Sequence, residues 1–431
     1  MAKTSFYTQF LTYIKSHQSQ LILIFILLFS FFSKAHRLSH PNTYVFDEIY
    51  AGYTAEQYAQ GNLNAFIWDY PADPGFAYNW DHPPLGRLLM SIPIRILGVS
   101  SLSRRLVPLT SGVLVSFLIY KIALLLFPKN PNISLIAAFL VACDGLIFTL
   151  SRIALVDSTL TLFITTSIYF LLKKNYLVSA IFWGAASACK WTGLFLAPFI
   201  AFVIITQQTW RSKKVPVKKQ LLKNLLIIIK TGLAYLLIGC LVYLLSYLPV
   251  FINFGFKKFI SIQQQAYWYH SGLVATHPAQ SEAYTWPLNL KPVWFWVDYQ
   301  ANTIANIYAL GNPLIFWCGL LAIFFCLVLF IKTCSLKLLY IVLAYLTCWV
   351  QWLFSPRIMF LYHYLPALPF LCLALAYAFD LISHFDPRLK YFIFTYLFLI
   401  FLTFVYFYPF WSGLPIPKDQ VDSYRWLNTW R

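Results

Sequence analysis

Long apolar runs limit what this chain can fold into. Eleven segments are apolar over close to the length of about 20 residues that a bilayer-spanning helix needs. They are 13–33, 106–127, 132–150, 155–172, 176–190, 191–207, 225–251, 313–331, 338–355, 361–382 and 391–410. Of the 431 residues, 60% are hydrophobic and 11% charged, a balance that excludes an ordinary soluble domain. The runs are continuous rather than alternating, so helices are expected and a barrel is not. The expected fold class is therefore an all-α polytopic membrane protein of about eleven transmembrane helices, built as one membrane domain over 1–431. Ser33-Lys34-Ala35 resembles a signal cleavage site. The charge pattern works with the first segment retained, so a retained helix is expected.

Lys and Arg in short loops set the orientation. With a cytoplasmic N-terminus, the inner loops hold Lys129, Lys173 and Lys174, then Arg211, Lys213, Lys214, Lys218, Lys219 and Lys223, then Lys332, Lys337, Arg388 and Lys390. Only Asp380 and Asp386 are acidic on that side. The expectation is a multi-pass protein of the cell (plasma) membrane, with a tail, 411–431, outside. The net charge of +18 is mainly a topological signal. No basic soluble face exists, so nucleic acid is excluded as a partner and membrane lipids are the natural neighbours.

Two polar stretches interrupt the spans, 34–104 and 252–311, and both are expected outside. In the first, Pro83-Pro84 stops any preceding helix and holds His82 extended. From Leu85 an amphipathic interfacial helix is expected, with Leu85, Leu88, Leu89, Ile92 and Ile96 on one side. Arg87, Ser91 and Arg95 fall on another side, the arginines towards lipid head groups. The second stretch carries Tyr267, Trp268, Tyr269, Tyr284, Trp286, Trp294, Trp296 and Tyr299. Such residues gather at membrane interfaces and also stack on sugars.

Carboxylates, a histidine and an arginine concentrate in the first loop. Asp47 and Glu48 are neighbours, so their side chains point in different directions and divide the work. One suits a general base while an arginine or a metal holds the other. About thirty residues on, Asp81-His-Pro-Pro-Leu-Gly-Arg87 mounts His82 on a rigid support. Arg104, Arg105, Asp144, Arg152, Asp157, Lys190 and Arg357 sit where spans meet the outside. Ionisable groups there face a cavity or a partner, and the cations suit a lipid phosphate. Arg152 and Asp157 are spaced poorly for a same-face pair, so each is expected to have another partner.

The eight cysteines form no Cys-x-x-Cys, which excludes a disulfide framework and a zinc site and leaves them as packing residues. There is no phosphate-cradling glycine loop, no Asp-x-Asp for a metal–nucleotide sugar and no serine-hydrolase elbow. A transferred sugar would then come from a lipid carrier. A transporter would place charges near the bilayer midplane, whereas these cluster at one face. A catalytically silent partner subunit is disfavoured by the intact Asp47.

In order along the chain, these motifs resemble the protein O-mannosyltransferases, within the GT-C-like polytopic glycosyltransferases that use lipid-phosphate sugars. The resemblance rests on Phe46-Asp47-Glu48, Asp81-His-Pro-Pro-Leu-Gly-Arg87, Arg152-Ile-Ala-Leu-Val-Asp157 and Lys190-Trp-Thr-Gly193. It continues in His277-Pro-Ala-Gln-Ser281 with Trp286-Pro287, in Gly311-Asn-Pro313 and in Tyr362-His-Tyr-Leu-Pro366. Arg87 stands where the family has Lys, and Glu282 where aromatic residues are usual. The soluble insert of eukaryotic members is absent between 252 and 311, as in the compact bacterial form.

The resemblance implies a polyprenyl-phosphate-mannose donor and a Ser/Thr-containing polypeptide acceptor, a chain in translocation included. It implies inverting attack by the acceptor hydroxyl. In that scheme Asp47 is the base and Glu48 orients it or the acceptor. Arg105, Arg152, Lys190 and Arg357 hold the phosphate, with Arg105 favoured, and Arg87 and Asp157 belong to the substrate site. His82, His277, Tyr362 and His363 shape the substrate region. The resemblance fixes no cofactor, the lipid-phosphate sugar being the donor substrate. Divalent metal use stays open, with Glu48 and His277 as candidate ligands. A related transferase acting on a lipid or glycan, such as an aminoarabinose transferase-like enzyme, is the alternative.

Overall fold

A computed structural model describes the backbone of residues 6–209 and 217–430, and side chains over 17–208 and 224–430. The side chains of the basic stretch 211–223 lie outside the described residues.

The chain is mostly helical and its architecture follows from the apolar runs. Eight described segments are long and apolar enough to cross a membrane. Three shorter apolar helices, Pro131–Ala142, Asp157–Leu172 and Tyr176–Cys189, fall in the remaining expected segments. Leu361–Phe385 is the most enclosed of the long segments, followed by Ser101–Leu126. Ser101–Leu126 packs on Pro131–Ala142 and Asp157–Leu172, and Asp157–Leu172 on Tyr176–Cys189. The outer helices leave Phe25, Leu237, Leu321 and Phe394 about 70% exposed, apolar surface that requires lipid rather than water.

Two expected helices are broken. The segment 132–150 stops at Ala142, where Asp144 accepts from the Ile147 N–H at 2.9 Å and caps a new short helix, Gly145–Leu150. The segment 225–251 ends at Ser246. Pro249, tolerated in a first helical turn, lies in that of the next helix, Leu248–Gly272. That segment breaks at Gly255, whose φ of 75° is not helical, and its second part carries the chain into the second polar stretch.

The first polar stretch folds as short helices, Phe46–Ile49, Ala51–Ala59, Leu63–Phe66 and Leu85–Leu97. The amphipathic helix forms as expected, but Arg87 is buried rather than turned to head groups. Its guanidinium donates to Asn79 Oδ1 at 2.7 Å and to the His82 carbonyl. The exposed side carries Arg95, as expected, together with Ile92 and Ile96.

The second stretch adds to the helical fold a small antiparallel sheet. Its strands are β1 (Val293–Tyr299), β2 (Thr303–Ala309) and β3 (Pro415–Pro417), in the order β1-β2-β3. A bulge lies between Trp294 and Trp296. The third strand ties the tail to this stretch, and buried Trp430 donates to the Asn289 carbonyl at 2.8 Å.

Candidate active site

Phe46–Ile49 is a single tight turn, and it sends Asp47 and Glu48 opposite ways. Glu48 is fully buried. One of its oxygens accepts from Arg105 Nε at 2.7 Å and from the Ala154 N–H at 2.7 Å. The other accepts from Arg105 Nη2 at 2.8 Å and from the Val45 N–H at 2.9 Å. Arg105 spends its remaining donors on the carbonyls of Leu38, Pro41 and Thr43. This bidentate pair is a clamp that fixes the turn.

The expectation that Arg105 holds a phosphate therefore does not fit: its fork is filled and only 1% of its surface is exposed. Glu48 is saturated in the same way and has no free lone pair aimed at a metal. Arg152 is likewise committed, donating to the carbonyls of Lys34 and His36. Its expected pairing with something other than Asp157 holds.

Asp47 points the other way, into a cavity of about 370 Å³ that it lines with His82, Asp157, Lys190, Arg357, Tyr362 and His363. The Tyr362 hydroxyl donates to Asp47 Oδ2 at 3.3 Å. Burial pushes the Asp47 carboxyl up to about 7, with the Tyr362 hydrogen bond opposing and Asp157 adding to the rise. Lys190 is buried, donates to Asp157 Oδ1 at 3.0 Å and lies 5.8 Å from the Tyr362 ring centre. Arg357 is half-buried and touches His270 Nδ1, and its Nε has no partner among the described residues.

The supports explain the motifs. A Cβ on Gly86 would lie 2.8 Å from Val156 Cγ1, so a glycine lets the helix Leu85–Leu97 close on the turn before Asp157. A Cβ on Gly193 would meet backbone atoms of Ala186 and Ser187 at 2.5 Å, which keeps Lys190 on a tight turn. Trp286 donates to Ser281 Oγ at 2.9 Å, and its ring stacks 6.1 Å from His363.

His277 lies outside the lining of this cavity. It sits on an exposed turn, where Nδ1 accepts from the Ala279 N–H at 3.1 Å and the ring meets Phe360 edge-on. It does not share the cavity wall with Asp47. Among the described residues, the group whose donor atoms converge as metal ligands would is Asp81, His82 and His270, within 4.8 Å of one another. One carboxylate and two imidazoles suit a divalent ion only weakly here. Arg357 contacts His270, and the charges of Lys190 and Arg357, which together with burial hold His82 well below its ordinary range and so neutral, oppose a cation at this spot.

His270 was not singled out from the sequence. Its signal was present: an ionisable residue closing an aromatic run, Tyr267-Trp-Tyr-His270. Its ring stacks on His82 with centres 5.0 Å apart.

A second space, about 600 Å³, opens beside the first. Apolar Trp191, Phe195, Trp352, Phe354 and Pro356 line it, and His82, Lys190, Arg357 and His363 border both spaces. Phe195 and Phe354 are strongly exposed, on segments apolar enough to lie in lipid. The polar cavity and the apolar groove thus meet at the cations.

Two family descriptions match the chain in succession. "Dolichyl-phosphate-mannose-protein mannosyltransferase" matches residues 81–235, and "C-terminal four TMM region of protein-O-mannosyltransferase" matches residues 255–430. A polyprenol-phosphate-mannose–protein mannosyltransferase of Mycobacterium tuberculosis is 22% identical, covering 81% of each chain. One of Corynebacterium glutamicum is 22% identical over 90% of this chain and 88% of its own. The solved Saccharomyces cerevisiae Pmt1-Pmt2 complex bound to the sugar donor superposes with a TM-score of 0.80 at 16% identity, over 96% of this chain and 93% of that one. ArnT from Cupriavidus metallidurans bound to undecaprenyl phosphate gives 0.57 at 16% identity, over 84% and 59%. The matched segments together span well over half of the sequence, and the chain belongs to the protein O-mannosyltransferase family.

Proposed function

We propose that this protein transfers mannose from polyprenyl-phosphate-mannose to Ser or Thr hydroxyls of polypeptides. The observation that carries the reading is the junction of two unlike spaces at Lys190 and Arg357. A prenyl chain fits the apolar groove, its phosphate lies at the cations, and the sugar projects towards Asp47. The acceptor hydroxyl attacks the anomeric carbon while Asp47 takes its proton, the carbon–oxygen bond to phosphate breaks, and configuration inverts. Polyprenyl phosphate leaves with the bonding pair, and Arg357 and Lys190 stabilise its growing charge. Tyr362 holds the base in place. Every step uses side chains of this chain.

The Lys/Arg pattern supports a reaction at the outer face of the membrane, with the N-terminus cytoplasmic. The relatives named for polyprenol-phosphate-mannose support the donor. Transfer to a lipid is the second reading, and the ArnT likeness extends to the fold alone. Purified protein given labelled polyprenyl-phosphate-mannose and a Thr-containing peptide tests the choice. Alkali-labile label on the peptide is expected. Label in lipid alone moves the reading to the second acceptor, and no label from this donor removes both.

A further inference from the structure

The outer edges of the small sheet are treated differently. In β3, Ile416 pairs with Ile304, and Pro415 and Pro417 flank it. Alternation turns the nitrogens of both prolines outward, so that edge offers no N–H there. This is the usual protection of an edge strand.

The β1 edge has no such protection. The Gln300 N–H donates to the Thr303 carbonyl at 3.0 Å, which makes this pair the bonded closure of the hairpin. Counting back, Asp298 is in a bonded pair with Ala305, while Tyr299 and Val297 oppose Ile304 and Asn306 in non-bonded pairs. The N–H and carbonyl groups of Val297 and Tyr299 therefore face away from β2. Among the described residues they have no further backbone partner. An open edge is not tolerated in hydrocarbon, so this one faces water.

Its position ties it to the reaction. Phe295, at the bulge in β1, stacks on Phe46 with centres 4.5 Å apart and lies 6.0 Å from the Tyr362 ring. Phe46 precedes Asp47, and Tyr362 donates to it.

We propose that the acceptor polypeptide binds in extended form by adding a strand to the free edge of β1, through the backbone groups of Val297 and Tyr299. This rests on the acceptor named under the proposed function and deepens it. Recognition is then mostly of main chain, with alternate residues of the acceptor bonded and the residues between them facing away. The site accepts many sequences around one hydroxyl and excludes folded or helical segments.

The test is a methyl scan of the acceptor. Peptides with one Thr and a single N-methyl group, moved residue by residue along both flanks, are assayed with the wild-type protein. Methyls at every second residue are expected to raise KM about tenfold, and those between to leave it within about twofold, with kcat held throughout. Val297→Pro, which removes an outward N–H and no ladder bond, is expected to raise KM for the unmethylated peptide and flatten the scan. Its donor KM and melting temperature should be unchanged. Should that variant fail to fold, the scan on wild-type protein decides. Labelled peptide with no alternation overturns this proposal alone, as does Tyr299→Cys protein cross-linking copy to copy through this edge. Failure to label any peptide removes the acceptor reading and this proposal together.

Discussion

The Tyr362 hydroxyl donates to Asp47 Oδ2 at 3.3 Å, a contact between groups 315 positions apart in the chain. It joins the turn carrying the acid to the start of the most enclosed long segment. It also opposes the burial that lifts the Asp47 carboxyl to about 7. In Tyr362→Phe that opposition is lost and the carboxyl rises further. The rise of kcat/KM with pH should move to more alkaline pH, with activity low at pH 7 and recovering by pH 9. A pH profile that keeps its midpoint while falling uniformly would mean that Tyr362 acts on something other than the base.

The same carboxyl makes a stability prediction. Its folded value is above its ordinary 3.8, so ionisation disfavours the folded state. The penalty is absent below pH 3.8, grows as pH rises towards about 7 and is constant beyond. Asp47→Asn removes it. The variant should melt with the wild type near pH 4 and above it at pH 8, by scanning calorimetry in detergent. Equal melting temperatures at both pH values would place Asp47 in a wetter setting than its walls imply.

Arg105 separates a clamp from a phosphate ligand. Arg105→Ala leaves the buried Glu48 carboxylate without its bidentate partner, a loss of about 3–5 kcal/mol. Arg105→Lys lacks the fork and should recover little. Both should lower the melting temperature whether or not donor is present. A variant that melts normally and shows only a raised donor KM would restore Arg105 as a phosphate ligand.

Arg357 and the groove make the donor prediction. Arg357→Ala should reduce kcat by about 10²–10³ through lost stabilisation of the departing phosphate, and melt normally. Thr192→Trp, which fills the apolar groove that Thr192 lines, should raise KM for long-chain donors and spare short-chain ones. Equal effects on both chain lengths would put the prenyl chain elsewhere.

Much of this was legible in residue order. Asp157, Lys190 and Arg357 stand out in the sequence because ionisable groups beside apolar runs are costly and so need a purpose, Asp47 and His82 because they lie in a polar loop rich in charge, and Tyr362 and His363 only through the family resemblance. Seven motifs in sequence then implied the family. Arg105 was misread for the reason that made it noticeable. A sequence shows a cation near the outer end of a span, but not the carbonyls of Leu38, Pro41 and Thr43 that enclose it.

The sheet escaped notice because Trp294, Trp296 and Tyr299 read equally well as an interfacial belt. The bulge at Trp294–Trp296 also breaks the two-residue alternation that marks a strand. Asp144 interrupts an apolar run whose hydropathy alone predicts one unbroken helix. Its capping bond to Ile147 is local geometry that average hydropathy does not carry.

The central claim is that Asp47 takes the acceptor's proton. Single-turnover transfer of labelled mannose to a Thr peptide at pH 8, with saturating donor, measures that step. Asp47→Asn should fall at least about a hundredfold in rate, with donor and peptide affinities kept. Wild-type rates from the Asn variant would contradict the account.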